Sequence, residues 1–167
     1  AEVIMTSRSV KKGETAREIT GEVKGKIVVL QLDLQDFDSI DRFAENFMKK
    51  YDRLDVLMNN AGIMTTPFFK TKDGLEGQIG TNHFGHFKLT GLLLELLIKT
   101  PGSRVVNVSS IAHKSGKMNF DDLHFDNGGY SPMKSYGRSK LANLLFTYQL
   151  QRLFEQHEAD TISVAAH

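Results

Sequence analysis

Short apolar runs alternate along this chain with longer stretches of helical period, and this alternation limits the fold more than any other feature. Parallel strands need a crossover connection of a dozen or more residues, usually a helix, so a strand–helix repeat of this length is typical of a parallel sheet covered by helices. We therefore predict an α/β fold, a doubly wound parallel sheet in three αβα layers. The five predicted strands lie at residues 3–6, 27–32, 54–58, 104–108 and 162–165.

Four segments of helical period separate these strands. The segment 37–51 is the clearest, because its apolar residues recur at the three-and-four spacing of one helix face. Residues 111–134 lack such a period and contain three glycines and a proline, so we expect a long functional loop along the substrate entrance. The predicted helices cover residues 11–22, 37–51, 80–98 and 135–157.

Charge and cysteine content exclude several classes of function. The 21 Lys and Arg residues balance 20 Asp and Glu residues, so the chain has no basic footprint for nucleic acid, and we expect a small-molecule partner. The absence of cysteine excludes disulfides, thiolate catalysis and cysteine-based zinc sites, and it fits a reducing compartment. We therefore predict a cytoplasmic protein, while a membrane anchor outside these residues stays open. The longest apolar stretch, residues 92–98, is far short of the roughly 20 residues that a membrane span needs.

Tyr136 and Lys140 form the first candidate for chemistry. Four residues apart on a predicted helix, their side chains lie on one face, one turn apart. An ammonium group beside a phenol stabilises the phenolate, which an acid that donates a proton requires. Taken alone, the pair is explained more simply as part of a solvated helix face.

Polar residues at two predicted strand ends change that interpretation. Ser109 and Ser110 follow the strand 104–108, and the run Asn59-Asn60-Ala61-Gly62 follows the strand 54–58. Ligands bind at the carboxyl ends of strands in parallel α/β sheets, and small residues let the backbone approach a flat ligand closely. A serine pair that caps the next turn is the structural alternative, but the strand ends together indicate a binding site.

Five motifs in a fixed order give the chain a clear resemblance. They are Asp33-Leu34, the run 59–62, Asn82 within residues 81–87, the run 106–110, and Tyr136 with Lys140. On these motifs the chain resembles the central part of the short-chain dehydrogenase/reductase family, and within it the retinol-dehydrogenase-like and WW-domain-oxidoreductase-like branch. The resemblance implies a Rossmann-like fold and a homodimer or homotetramer.

The resemblance implies four catalytic residues. Tyr136 would be the general acid in carbonyl reduction or the base in alcohol oxidation, and Ser110 would donate a second hydrogen bond to the reacting oxygen. Lys140 would bind the nicotinamide ribose beside Tyr136, so both residues also contact the cofactor. Asn82 would hold a water in the proton relay through Lys140. No catalytic metal is implied, and His83 and His86 are interpreted as surface or packing residues.

The resemblance also implies a nicotinamide dinucleotide, and the residues at the first strand end favour one form. An NAD enzyme of this family usually has a carboxylate at that strand end, whereas this chain has Arg8, a guanidinium suited to a 2′-phosphate. We therefore predict NADP(H) in preference to NAD(H). Asp33, with Leu34 beside it, would accept from the adenine amino group, and Asn59, Ala61 and Gly62 would line the adenosine side.

We expect residues 1–167 to form a single NAD(P)-binding Rossmann-like domain that is truncated at both ends. It would lack the family's first strand with its glycine-rich turn, which should precede Ala1, and the C-terminal substrate loop and last strand. The predicted function is hydride transfer between NADP(H) and a carbonyl or alcohol, with a lipophilic aldehyde or retinoid implied by the resemblance. The alternative is a non-catalytic binding or scaffold protein of the same fold, or an inactive fragment.

Overall fold

Parallel strands and crossover helices alternate along the chain, as the apolar pattern predicts. The computed structural model describes residues 1–21 and 23–167. The strands are β1 (Glu2–Ser7), β2 (Lys26–Gln31), β3 (Val56–Asn59), β4 (Arg104–Val108) and β5 (Ile162–Ala166). The helices are α1 (Val10–Ile19), α2 (Phe37–Lys50), α3 (Gly77–Ile79), a π-helical turn (Gly80–Phe84), α4 (Gly85–Leu92), α5 (Leu94–Lys99), a 3₁₀ helix (Ile111–Ser115) and α6 (Pro132–Gln156).

All strand pairs are parallel, and the strands lie in two sheets. β1 pairs with β2, and β4 lies between β3 and β5. This arrangement confirms the parallel α/β fold, and β1 and β3 share no ladder in the described part of the chain. Both strands also carry exposed apolar side chains, which include Val3, Val56 and Met58.

The apolar stripe of α2 forms the centre of the main core. Ile40, Phe43 and Phe47 pack there with Leu89 of α4 and with Leu32, which follows β2. Burying a large apolar side chain stabilises a fold by about 1.5–3 kcal/mol. Asp36 starts this helix, because its carboxylate accepts from the backbone N–H groups of the first turn. A second cluster joins α5, β4 and α6.

The helix predicted at 80–98 is the largest error in element boundaries. The helical run begins earlier, at Gly77, changes to π geometry over Gly80–Phe84 and is interrupted at Leu93, whose φ of −96° and ψ of 3° belong to neither neighbouring helix. π-helical turns inside helices occur frequently at functional sites. A π-helical turn shifts the core-facing positions after it by only one residue. The apolar pattern of the sequence therefore does not reveal such a turn.

Two other helices differ from prediction at their ends. α1 ends at Ile19, and Glu22, which the prediction included, lies outside the described residues. α6 starts at Pro132 rather than Ser135, so the segment predicted as one long loop ends earlier. Proline suits the first turn of a helix, because the missing N–H would have no intrahelical partner there. No helix within residues 1–21 and 23–167 is long and apolar enough to span a bilayer.

Candidate active site

The carboxyl ends of β1, β2 and β3 surround one cleft of about 200 Å³. Five of the predicted cofactor residues line it, although they come from three separate parts of the chain. This convergence follows from the parallel strands, whose carboxyl ends lie on the same side. The five residues are Arg8, Asp33, Leu34, Ala61 and Gly62.

Arg8 and Asp33 carry opposite charges at two corners of this cleft. Arg8 is exposed and precedes Ser9, the N-cap of α1, and the structure records no ion pair for it among the described residues. One oxygen of Asp33 accepts from the backbone N–H of Gln35 at 2.9 Å. The other Asp33 oxygen has no recorded protein partner in the described chain, so it can accept from a ligand.

Asn59 departs from its expected place on the adenosine side. Its side chain is 2% exposed and points into the core, where its amide donates to Thr90 at 3.0 Å and to Asn107 at 2.8 Å. Asn107 in turn donates to Thr147 of α6. The Asn59 side chain therefore joins β3, β4 and the helices, and it is not among the residues that line the cleft.

Asn82 fastens the loop after β3 to α6. It is fully buried; its Oδ1 accepts from the Ile63 N–H at 2.8 Å, and its Nδ2 donates to the Ile63 carbonyl and to Ser139 Oγ, each at 2.9 Å. Asn82 lies in the π-helical turn, which places its side chain between Ile63 and Ser139. The role of Asn82 in holding a relay water stays a prediction.

Gly62 lies between the cleft and two of the predicted catalytic residues, Asn82 and Lys140. A Cβ atom at this position would lie 3.1 Å from Asn82 Oδ1 and 3.7 Å from Lys140 Nζ. The same glycine lines the cleft at the strand ends. A side chain here would occupy space beside both catalytic groups, which is the physical reason for a small residue.

Lys140 lies on the inner face of α6 with its ammonium group 5.7 Å from the centre of the Tyr136 ring. It is 5% exposed, and its Nζ donates to the Val108 carbonyl at 2.9 Å. Burial lowers the pKa of Lys140 from its ordinary value. An ammonium carries three donors, so two have no recorded partner in the described chain and can bind a ligand.

The two serines after β4 have different roles in the structure. Ser109 is buried and donates to the Lys140 carbonyl at 2.9 Å, which fastens the strand end to α6. Ser110 is partly exposed and caps the following 3₁₀ helix, where its Oγ accepts from the Ala112 N–H at 3.2 Å. The proton of its hydroxyl is therefore free to donate elsewhere.

Two glycines let the 3₁₀ helix after Ser110 touch the backbone of α6. A Cβ on Gly116 would lie 2.4 Å from the Gly137 carbonyl oxygen, and a Cβ on Gly137 would lie 2.9 Å from the Ala112 carbonyl oxygen. Because Gly137 directly follows Tyr136, this contact sets how close the Ser110 segment lies to Tyr136. In the sequence, Gly116 is only one of three glycines in the predicted loop 111–134, and nothing there indicates this contact.

Arg138 holds the next part of the loop. Its guanidinium donates to the carbonyl oxygens of Lys117, Asp122 and Leu123 and stacks on the Phe125 ring at 4.0 Å. Such contacts give residues 117–125 a defined position beside α6. Residues 117–131 are irregular, as the lack of period predicts, and Arg138 anchors part of this segment to α6.

His83 and His86 are packing residues in the structure. His86 is 5% exposed, and its Nδ1 lies 3.0 Å from the Asn82 carbonyl; since a carbonyl only accepts, Nδ1 carries the proton. Burial lowers the pKa of His86 to about 4 and also lowers the pKa of His83. Among residues 1–21 and 23–167 there is no group of three or more side chains suited to a metal ion.

Glu76 and Gln78 were missed by sequence reasoning. Both side chains are fully buried. Glu76 caps the helical run that contains Asn82 and accepts from Ser135, while Gln78 contacts Thr65, Tyr130 and Pro132. Glu76 could have been recognised as a helix cap, because its carboxylate directly precedes the first helical residue, Gly77. The predicted helix started at residue 80, so this signal was not apparent.

The residues fit a nicotinamide dinucleotide at the sites they form. The cleft has a guanidinium and a carboxylate oxygen available, and Gly62 and Ala61 present backbone with little side chain. This combination suits the adenosine half of such a cofactor, and Lys140 lies beside Gly62 at the edge of the cleft.

Comparison with known proteins identifies the family. The family model described as short chain dehydrogenase matches residues 1–166. Human retinol dehydrogenase 11 is 46% identical over 98% of this chain and 52% of its own length, and mouse retinol dehydrogenase 12 is 49% identical over 91% and 48%. The chain thus spans about half the length of these curated relatives.

Solved structures agree on the fold. A putative uncharacterized protein from Mycobacterium paratuberculosis aligns over 99% of this chain and 57% of its own, with a TM-score of 0.89 and 47% identity. A metagenomic short-chain oxidoreductase in complex with NADP aligns over 99% and 70%, with a TM-score of 0.73 and 24% identity, and shows the fold alone. The family match, the retinol dehydrogenase relatives and the geometry of the site agree, and the chain belongs to the short chain dehydrogenase family, in its retinol-dehydrogenase-like branch.

Proposed function

We propose that the protein transfers hydride between NADP(H) and a carbonyl or alcohol substrate. One observation carries the proposal: Gly62 lines the cofactor cleft and also lies beside Asn82 and Lys140. The loop after β3 therefore lies between the dinucleotide cleft and two of the proposed acid–base residues, as a hydride-transfer site requires.

Four residues divide the work in this mechanism. A bound nicotinamide would supply or accept the hydride. Tyr136 would donate a proton to the carbonyl oxygen in reduction and accept it in oxidation, while the Ser110 hydroxyl stabilises the charge on that oxygen. The buried Lys140 ammonium would stabilise the Tyr136 phenolate and bind the nicotinamide ribose. Asn82 holds the loop after β3 in place and would also hold the relay water.

The proposed substrate is a lipophilic aldehyde or a retinoid. Two exposed apolar side chains support this class: Ile111 directly follows Ser110, and Met64 lies in the loop after β3. The names of the relatives point in the same direction, since several are retinol dehydrogenases. An apolar entrance beside the reacting oxygen favours such molecules over charged ones.

The preference for NADP(H) rests on Arg8. Structural neighbours of this fold include one complex with NADP and one with NAD, so the fold itself is compatible with either cofactor. A guanidinium bound to the 2′-phosphate contributes about 1.5–3 kcal/mol. Arg8→Gln should therefore weaken NADPH binding about 10- to 100-fold and leave NADH binding within about twofold, with the exposed Arg42→Gln as the control in the same titration.

We also propose that a further strand lies between β1 and β3 and leads into the glycine-rich turn for the pyrophosphate. β1 and β3 each have one open edge in the described chain, and they carry the exposed Val3, Val56 and Met58. Both observations support the proposal, because a doubly wound sheet is continuous at its centre. The C-terminal substrate loop and the last strand would complete the domain.

A homodimer or homotetramer is proposed through α4 and α6. The Phe87 and Phe146 rings lie 5.3 Å apart and join the two helices, while Phe87 and Leu145 stay about half exposed. Light scattering on the full-length protein would measure the assembly. The cytoplasmic location stays a prediction.

Tyr136→Phe tests the central claim in the full-length protein. Because phenylalanine keeps the ring and removes only the hydroxyl, NADPH should still bind, while aldehyde turnover should fall by at least 100-fold. An NADPH titration would measure cofactor binding, and stopped assays with NADPH and a panel of aldehydes and ketones would measure turnover.

Tyr148→Phe is the matched control, since Tyr148 is an exposed tyrosine on the same helix. Its turnover should equal that of the unsubstituted protein. If Tyr136→Phe binds NADPH and turns over normally, the catalytic assignment is wrong. If the unsubstituted protein binds NADPH without any turnover, a binding or scaffold role replaces the enzyme.

A further inference from the structure

The start of α6 is held by contacts from another helix rather than by its own cap. Ser131 stands at the N-cap position but makes no side-chain capping hydrogen bond. An uncapped first turn leaves backbone N–H groups without partners and tends to fray. Tyr136 lies only one turn further on, so any loosening of this turn would move its phenol.

Three polar side chains from the helical run of Asn82 contact one face of α6. Glu76 Oε2 accepts from Ser135 Oγ at 2.7 Å, Gln78 Nε2 donates to the Pro132 carbonyl at 2.9 Å, and Asn82 Nδ2 donates to Ser139 Oγ at 2.9 Å. Positions 132, 135 and 139 are spaced three and four apart, so they form one stripe. The catalytic Tyr136 is adjacent to this stripe.

Glu76 is the centre of these contacts. Its carboxylate also accepts from the backbone N–H groups of Gln78 and Ile79, each at 3.0 Å, and it is fully buried. A buried carboxylate with three donors is strongly held in place, because each bond to a charged group contributes about 1.5–3 kcal/mol. It therefore links the N-terminus of the Asn82 helix rigidly to the residue before Tyr136.

We propose that Glu76 and Ser135 are positioning residues: their buried hydrogen bond fixes the first turn of α6 against the helix that carries Asn82, and so aims the Tyr136 hydroxyl. Neither residue touches the reacting atoms in this proposal. It deepens the proposed function and rests on it for the catalytic consequence, whereas the anchoring of the turn stands independently.

Ser135→Ala in the full-length protein tests the proposal, because it removes the hydroxyl and keeps the Ser135 amide, which donates to the Ser131 carbonyl. A displacement of about 1 Å can cost up to about 100-fold in rate, so we expect kcat to fall at least about tenfold. The KM for NADPH should stay within about twofold, because Lys140 lies a full turn further along.

Hydrogen exchange supplies a readout that does not depend on turnover. Amides 135–138 should exchange at least about tenfold faster in Ser135→Ala, since the first turn opens more often. Ser131→Ala is the matched control at the same helix end, and it should change neither kcat nor exchange, because Ser131 makes no capping bond. In a Glu76→Gln background, Ser135→Ala should cost much less, as expected for a coupled pair.

The outcomes separate this proposal from the proposed function. Faster exchange together with a lower kcat and an unchanged KM supports it. Unchanged exchange overturns the anchoring, and faster exchange with an unchanged kcat overturns the positioning role. If the unsubstituted protein has no turnover, the proposed function fails, and exchange alone then decides whether Glu76 and Ser135 anchor the turn.

Discussion

Buried neighbours determine the protonation of individual side chains in this site. His86 is an example, because it is buried beside Lys140 and Asn82 and donates from Nδ1 to a backbone carbonyl. Protonation at Nε2 would place a second positive charge beside the Lys140 ammonium. The neutral form is therefore the one compatible with the folded site.

His86 should make stability depend on pH. Burial lowers its pKa from 6.5 to about 4, so below pH 6.5 the unfolded state binds a proton that the folded state does not. Stability from this residue is present above pH 6.5 and is lost as the pH falls towards 4, by about 2 kcal/mol between pH 7 and pH 5. Urea unfolding at both pH values would measure this loss. In His86→Gln, the free energy of unfolding should fall by about 2 kcal/mol less between pH 7 and pH 5 than in the unsubstituted protein.

The exposed His157 provides the control for this experiment. His157→Gln should show the same loss of stability between pH 7 and pH 5 as the unsubstituted protein. Parallel curves for all three proteins would mean that His86 does not contribute to the acid sensitivity.

Between elements, direct backbone contact controls the distance between catalytic segments. The 3₁₀ helix after Ser110 approaches α6 at Gly116 and Gly137, where any side chain would meet backbone atoms. Backbone cannot rotate away as a flexible side chain can. The separation of Ser110 and Tyr136 is therefore sensitive to one methyl group at Gly116.

Gly116→Ala should push the 3₁₀ helix away from α6. Its Cβ would lie 2.4 Å from the Gly137 carbonyl oxygen, so we expect a loss of about 1–3 kcal/mol in the free energy of unfolding and a clear fall in kcat. Urea unfolding and steady-state turnover would measure the two effects.

Gly91→Ala is the matched control, because Gly91 lies in α4 with no atom within 4 Å of a Cβ. It should be neutral or stabilising by up to about 1 kcal/mol, as alanine favours a helix over glycine. Equal effects of the two substitutions would argue against the backbone contact.

For the whole molecule, the two separate sheets leave apolar surface at the centre of the fold. Val3 of β1 and Met58 of β3 are more than half exposed, and Val56 is nearly so. Unpaired strand edges with apolar side chains promote association with other chains.

The 167-residue chain by itself should bind the dye ANS and associate at micromolar concentration, whereas the full-length protein should do neither. Light scattering and dye fluorescence would measure both. Met58→Lys in the 167-residue chain should reduce association, because a charge on an edge strand opposes pairing. A monomeric 167-residue chain without dye binding would contradict this account of the exposed strands.

The sequence by itself determined the order of the strands and helices and five residues of the cleft. Apolar periodicity is a local property, and Arg8, Asp33 and Gly62 follow strand ends that any parallel sheet brings to one side. Tyr136 and Lys140 were recognisable for the same reason, since their spacing within one helix sets their geometry.

Only the tertiary structure decided the contacts between distant segments. It directed the Asn59 side chain into the core and paired Glu76 with Ser135 across 59 positions of the chain. The direction of a side chain depends on which segments pack around it, and neither periodicity nor a short motif carries that information. The residues that position Tyr136 therefore emerge from packing alone.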